Sequence, residues 1–373
     1  MGQREQLRRE RLRDAAQARG LDGFLIVDPT NASYLTGFNG EDSYLWIGDV
    51  GALLLSDTRF EEQIKEECPD VDAAIRRSGQ STLSLLKEAF SNSAYSSSRP
   101  KRVGIEGEST TAALLMRAQK EFPDVDFVVS SYDVERLREI KDDEEVLAIR
   151  EAIDLSIDAY LVVRSSIGLD ATEVDLRDEL EYRMRKLGGD EAAFPSIVAY
   201  DERAALPHAI PGRNRVLRDA NAVLIDWGVK KNGLVGDLTR AYLMENGTRA
   251  ANAQFKRKFD EVFQIVLEAH DAAIERIKPG AICSEIDATA RETIRKAGYG
   301  EFFGHGLGHG IGRAVHDFGG FSPNNSRVLE KNMVMTVEPG IYLPGVLGVR
   351  IEDDVLVTDS GCEVLSRRLS VDG

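Results

Sequence analysis

Residues 221–244 read NAVLIDWGVKKNGLVGDLTRAYLM. Two β-rich runs flank a Lys-Asn-Gly stretch, and Asn-Gly is a strong signal for a tight hairpin turn. Two aspartates interrupt the apolar pattern, Asp226 in the first run and Asp237 at the head of the second. A four-residue loop, 230–233, would set them directly opposite each other, with Cβ atoms roughly 5 Å apart. A tighter Asn232-Gly233 turn shifts the register by two and makes them diagonal neighbours on one face. In either register both carboxylates point the same way. Like charges opposed across a sheet destabilise it unless something compensates. A bound divalent cation is the simplest compensation. The plainer alternative leaves one aspartate in solvent or spends it on a turn cap, and this pair alone leaves both readings open.

Working outward, residues 333–357 read MVMTVEPGIYLPGVLGVRIEDDVLV and hold a second pair. Glu338 and Glu352 each sit in an apolar, β-rich run, with Pro and Gly between the runs as in a longer strand connection. A glutamate buried unpaired in such a strand costs several kcal/mol. Two such pairs ask for one explanation. A dinuclear metal site supplies it, because hard cations take several carboxylate oxygens and a few imidazoles.

Between the pairs lies FFGHGLGHGIGRAVHDF, residues 302–318. The chain has five histidines, and His305, His309 and His316 fall here. Read as a straight strand, His305 and His309 share a face but stand roughly 13 Å apart. One imidazole is then a ligand and the other has a different task. The alternating glycines leave the opposite face bare, so another backbone or a substrate can approach closely. Rival motifs fail. There is no HExxH, no GxGxxG and no GxSxG elbow, and the SxxK at Ser84–Lys87 stands alone.

The bulk numbers exclude several classes. A net charge of -16 over 373 residues argues against nucleic acid and anionic membrane as partners. Cys68, Cys283 and Cys362 are odd in number and form no CxxC, so free thiols in a reducing cytoplasm are expected. The first twenty residues are charged throughout and do not read as a signal peptide. No run reaches the roughly 18 apolar residues of a membrane span.

Length favours two domains. In the first third, a charged helix over about 3–19 leads to the strand LDGFLIVD and the turn-rich PTNASYLTGF. Strands GALLLSD and KRVGIEG follow, with RFEEQIKEE and STTAALLMRAQKEF as helices and 91–101 as a surface loop. This alternation marks an α/β domain. A long helix then carries Val146, Ile149, Ile153 and Ile157 at helical period. Helices over about 172–187, 252–277 and 284–297 accompany the strands of an α+β domain. The division is placed at 138/139, giving domains 1–138 and 139–373.

Five ordered segments, LIDWG, GDLTR, HGLGHGIGRAVHD, TVEPGIY and GVRIEDD, resemble the pita-bread metallopeptidases, in particular Xaa-Pro dipeptidase (prolidase) and aminopeptidase P. PTNASYLTGF and LREIKDDEEVLAIREA resemble the creatinase/prolidase N-terminal domain and linker helix of those enzymes. The resemblance implies a creatinase-like α/β domain ahead of a pita-bread catalytic domain, hydrolysing the bond before proline in small peptides. It implies two divalent ions, Mn²⁺ or Co²⁺ with Zn²⁺ as the alternative, held by Asp226, Asp237, His309, Glu338 and Glu352. Asp237 and Glu352 would bridge the ions. It gives Glu338 the proton transfer, His316 the oxyanion and His208 a reach to substrate from the other side. His305 supports the site beside the substrate, Tyr342 lines the pocket, and Arg350 orients an aspartate ligand. His270 matches nothing and is expected to be an ordinary helix residue. A homodimer is implied as well.

Two departures concern the substrate subsite. Asp317 stands where many members have Glu, and NGLVGD replaces a Gly-Tyr before the second aspartate. Two other readings compete. The same fold hosts hydrolases of other small amides, some without metal, and the full ligand set disfavours the metal-free kind. Pita-bread domains also serve as binding modules, but those lack ligands and carry basic segments or insertions.

Overall fold

The computed structural model describes residues 2–244 and 253–371. Two compact units divide it, one ending at Arg138 and one beginning at Glu139. Each is described by itself.

In the first unit the elements run α1 (Gln3–Ala18), β1 (Gly23–Ile26), α2 (Pro29–Thr36), β2 (Tyr44–Gly48), β3 (Ala52–Asp57), α3 (Glu61–Glu67) and β4 (Asp72–Arg76). They continue with α4 (Thr82–Phe90), β5 (Arg102–Glu106), α5 (Ala112–Glu121), β6 (Asp126–Ser130) and α6 (Asp133–Glu139). The strands form one mixed sheet, β4-β3-β2-β1-β5-β6, in which β2 runs antiparallel to both neighbours. Central β1 is buried along its whole length. Its Phe24 and Ile26 enter one apolar cluster and Leu25 the other, as the two-residue period of a strand requires.

PTNASYLTGF is not a run of turns. Residues 29–36 form α2, whose N-cap Asp28 accepts a hydrogen bond from Asn31 N at 3.0 Å. Pro29 opens the helix, where a missing N–H is no loss, and Gly37 at φ 82° closes it.

The second unit begins with α7 (Asp143–Ser166), α8 (Glu173–Lys186), β7 (Glu191–Ala192), β8 (Ile197–Tyr200), β9 (Ala222–Trp227), β10 (Val229–Lys231), β11 (Leu234–Val235) and β12 (Leu238–Leu243). Then come α9 (Ala253–Ile274), α10 (Cys283–Lys296), β13 (Gly308–Gly310), β14 (Asp317–Phe321) and β15 (Val334–Val337). The last strands are β16 (Gly340–Leu343), β17 (Leu347–Arg350), β18 (Asp353–Val357) and β19 (Cys362–Val364). Position 252 of the expected third helix lies outside the described residues.

Sheets β12-β9-β8 and β14-β13-β15-β18-β19 meet where Thr239 bridges to Glu352. Alternate residues of β8, β9 and β12 serve two cores. Val198, Tyr200, Val223, Ile225 and Trp227 pack with α7 and α8, whereas Ala199, Ala222, Leu224 and Ala241 pack with α9 and α10. Asp226 therefore lies on the face of Leu224, the side of the sheet turned to α9 and α10, and is 8% exposed.

The hairpin takes the tighter of the two registers. Lys231 pairs with Leu234 and Asp226 with Thr239, around a turn with Asn232 at φ 51° and Gly233 at φ 75°. Both central residues at positive φ mark the turn type that Asn-Gly favours. Asp226 and Asp237 are consequently diagonal neighbours. Cys68, Cys283 and Cys362 are unpaired. No helix among the described residues is long and apolar enough to cross a membrane.

Candidate metal centre

Sequence reasoning drew 302–318 as one extended strand, and that is corrected. Only Gly308–Gly310 is strand, with an irregular register against β14 at His309/Gly310. Close packing requires glycine here. A Cβ on Gly308 would stand 2.0 Å from the Thr336 carbonyl oxygen, well inside any real contact. The glycine lets β13 lie against β15 and fixes His309 beside the acids.

The second unit holds a cavity of about 1210 Å³ whose wall includes Asp226, Asp237, His309, Glu338 and Glu352. His208, His305, His316, Tyr342 and Arg350 line the same cavity. Every candidate residue thus faces one space. His270 does not. It is buried on α9, with Nε2 3.1 Å from Asp353 Oδ2 and Nδ1 3.1 Å from Asp271 Oδ1.

Asp237, His309 and Glu352 each offer a ligand atom within 4.8 Å of the others. His309 Nε2 stands 3.4 Å from Glu338 Oε1 and 3.7 Å from Asp237 Oδ2. Its Nδ1 lies 3.1 Å from the Gly310 carbonyl, which makes Nδ1 the protonated nitrogen and turns the Nε2 lone pair toward the acids. Burial, then neighbouring His316, lowers His309 to about 4, so the ring is neutral at physiological pH.

The acids respond in the opposite direction. Burial raises Asp226, and the Arg350 guanidinium only partly opposes it. Asp237 and Glu352 are raised well above the carboxylate range by burial first, then Asp237 by Glu352 and Asp226, and Glu352 by Glu338 and Asp226. Burial lifts Glu338 to about 7. Oδ1 of Asp226 and Oδ1 of Asp237 are buried with no hydrogen-bond partner among the described residues. Orphaned oxygens, mutual repulsion and a neutral imidazole with a free lone pair are the donor set a hard divalent cation completes. The residues fit the implied ions.

Arg350 organises the back of the cage. Fully buried, it pairs with Asp226, donates from Nε to Thr239 Oγ1 at 3.0 Å and from Nη1 to Tyr342 OH at 3.0 Å. Thr239 in turn donates to Glu352 Oε2 at 2.6 Å. Tyr342 OH is 2.9 Å from His305 Nε2, and His305 Nδ1 is 2.7 Å from the Gly306 carbonyl. Both nitrogens of His305 are therefore engaged inside the protein. Burial, then Arg350, holds that ring at about 4, hence neutral. His316 stands with its ring centroid 4.4 Å from that of His309, edge to face.

Four contributors were not singled out from the sequence. Thr239 and Thr336 are hydroxyls inside quoted motifs: Thr336 Oγ1 accepts from His309 N at 3.0 Å and donates to Glu338 Oε1 at 3.3 Å. Asp354, fully buried, accepts from Asp237 N at 3.0 Å. For these three, position two residues from a candidate ligand in a strand was the available signal. Glu301, on the cavity wall, had none.

Comparison with known proteins agrees with this geometry. Residues 148–359 match the model of metallopeptidase family M24, and residues 8–140 match that of the creatinase/prolidase N-terminal domain. The chain is 34% identical to the uncharacterized peptidase YqhT of Bacillus subtilis, over 94% of this chain and 95% of the relative. Among solved structures, the Xaa-Pro dipeptidase of Bacillus anthracis superposes with a TM-score of 0.88 at 32% identity, covering 97% of this chain and 98% of that one. The X-Pro aminopeptidase of Thermotoga maritima gives 0.83 at 35% identity, with 95% and 97% covered. The chain belongs to metallopeptidase family M24, with a creatinase/prolidase-type N-terminal domain ahead of a pita-bread catalytic domain.

Proposed function

We propose that the protein hydrolyses the peptide bond preceding proline in small peptides, using two divalent ions held by Asp226, Asp237, His309, Glu338 and Glu352. One observation carries this reading: three buried acids, two of them with orphaned oxygens, and the half-buried Glu338 converge with the Nε2 lone pair of His309 on a single cavity. Divalent ions in such a cage supply an acidified water at neutral pH and positive charge for a developing oxyanion.

The remaining work falls to the chain. Glu338, on the cavity wall beside His309, would take a proton from the attacking water and return it to the leaving nitrogen. Thr336 fixes its orientation through the hydrogen bond to Oε1. His316, beside His309 on the cavity wall, is placed to donate to the oxyanion. His208 faces the same space from the segment after β8. Arg350 holds Asp226 and, through Thr239, aligns Glu352.

The wall is compatible with proline. Phe194, Ile197, Leu206, Phe302, Val315 and Pro344 give an apolar lining that suits a pyrrolidine ring. A tertiary amide also brings no N–H that would need an acceptor there. The solved relatives named for Xaa-Pro substrates support the same reading. The test compares an Xaa-Pro dipeptide, an Xaa-Pro-Xaa tripeptide, their alanine counterparts and a simple non-peptide amide on enzyme loaded with Mn²⁺ or Co²⁺. Selective cleavage before proline supports the proposal. Turnover of the simple amide with neither proline peptide cleaved would replace it with another small-amide hydrolase.

A further inference from the structure

The segment from Leu206 to Gly212 crosses the cavity wall, presenting Leu206, Pro207 and His208 to the interior. It has no regular secondary structure. Leu206, His208 and Ile210 are exposed, and Ala209 alone of its side chains is buried in the apolar core, so apolar burial holds it at one point only. A segment with so little buried apolar surface opens easily unless its backbone is also pinned from outside.

The pins are specific. Glu173, the first residue of α8 and 1% exposed, reaches under the segment. Its Oε2 accepts from Gly212 N at 2.7 Å and its Oε1 from Tyr200 N, at the end of β8, at 2.8 Å. The same carboxylate takes Arg203 Nε at 2.9 Å, and the Arg203 Nη2 donates to the Ile210 carbonyl. Gly212 O accepts from Val174 N at 3.3 Å. Near the other end, Arg350 Nη1 approaches the Pro207 carbonyl at 3.4 Å. Gly348 allows β17 to pass beneath, since a Cβ there would stand 1.8 Å from the Ala204 carbonyl oxygen. One buried carboxylate thus ties together the strand end before the segment, its central carbonyl through Arg203, and its last amide.

We propose that Glu173 and Arg203 are positioning residues that hold segment 206–212 across the cavity and so place His208 and Leu206 against the bound peptide. This rests on the reading of the cavity as the peptide site. Neither residue lines the cavity among the described residues, so both act through the segment. If the segment is in place only a fraction of the time, apparent substrate affinity falls by that fraction. Turnover of what does bind is retained.

Arg203→Ala is the primary variant. Arg203 is 36% exposed, and its loss leaves Glu173 with two backbone donors, while the metal content and the exchange of β9 and β12 report whether the fold is kept. Glu173→Gln is the second, because it removes the charge while keeping one acceptor. In metal-loaded enzyme, hydrogen–deuterium exchange of amides in 206–212 should quicken about tenfold in either variant. Exchange in β9 and β12, and metal content, should match wild type. KM for the peptide should rise about tenfold with kcat within about threefold. Combining Arg203→Ala with His208→Ala should raise KM no further than His208→Ala alone, because residues acting through one element are not additive. Unchanged exchange in the segment, or fully additive effects with His208→Ala, would overturn the assignment. If wild type cleaves no proline peptide, the proposed function fails, while the exchange measurement still judges the clamp by itself.

Discussion

His305 and His309 are separated by three residues, and their second contacts set them apart. His309 has Nδ1 tied to a backbone carbonyl and Nε2 left toward Asp237 and Glu338. His305 has both nitrogens committed, one of them to Tyr342. Asp237→Ala or Glu352→Ala should therefore abolish metal binding and activity, whereas His305→Ala should keep most of the metal. Metal analysis after gel filtration checks this, and a His305→Ala protein stripped of metal beside a loaded His309→Ala would reverse the assignment. His316 should separate differently. With its ring packed on His309 and facing the cavity, His316→Ala should retain both ions and lose roughly 10²–10³ in kcat, the usual loss for one oxyanion donor. KM should change less, since the contact strengthens as charge develops. A metal-replete variant turning over at the wild-type rate would make His316 a packing residue. At this scale the sequence was readable because two pairs of acids in apolar strands have few explanations. Asp354 was passed over, although its place two residues after Glu352 turns it to the same face of the strand.

At the scale of elements, the Asn-Gly turn selected the register, and the register made Asp226 and Asp237 diagonal neighbours. Residues 29–36 were misread because Pro, Asn, Ser and Gly are turn formers. In sequence order they are Pro in the first turn and Gly beyond the last, which is the polarity of a helix. The antiparallel course of β2 was missed because YLWIG was not read as a strand, although it forms a hairpin with β3 across a short turn. The glycines of 302–318 were expected to allow close approach, and Gly308 against Thr336 shows what approaches. Gly308→Ala should force β13 off β15, costing about 1–3 kcal/mol as overpacking does, and should weaken metal binding because His309 moves with the strand. Thermal denaturation with metal analysis reads both effects. A Gly308→Ala protein with wild-type Tm and full metal content would show that the strand has slack.

At the scale of the whole molecule, all ten candidate residues lie on one cavity of the second unit, and the proposed catalytic centre is that cavity. The proposed assembly is a homodimer, the common form of symmetric soluble oligomers. Light scattering should give about twice the 41.2 kDa of the chain. A fully active species at the monomer mass would remove the dimer from the account. The central claim is that buried acids and one imidazole collect two ions to cut before proline. The most direct measurement follows the initial rate on an Xaa-Pro peptide, with an Xaa-Ala control, as Mn²⁺ or Co²⁺ is returned to chelator-stripped enzyme. The expected result is no activity without metal, proline-selective cleavage as metal is added, and saturation near two ions per chain. Full activity in the stripped enzyme, or a loaded enzyme that leaves the Xaa-Pro bond intact, would contradict it.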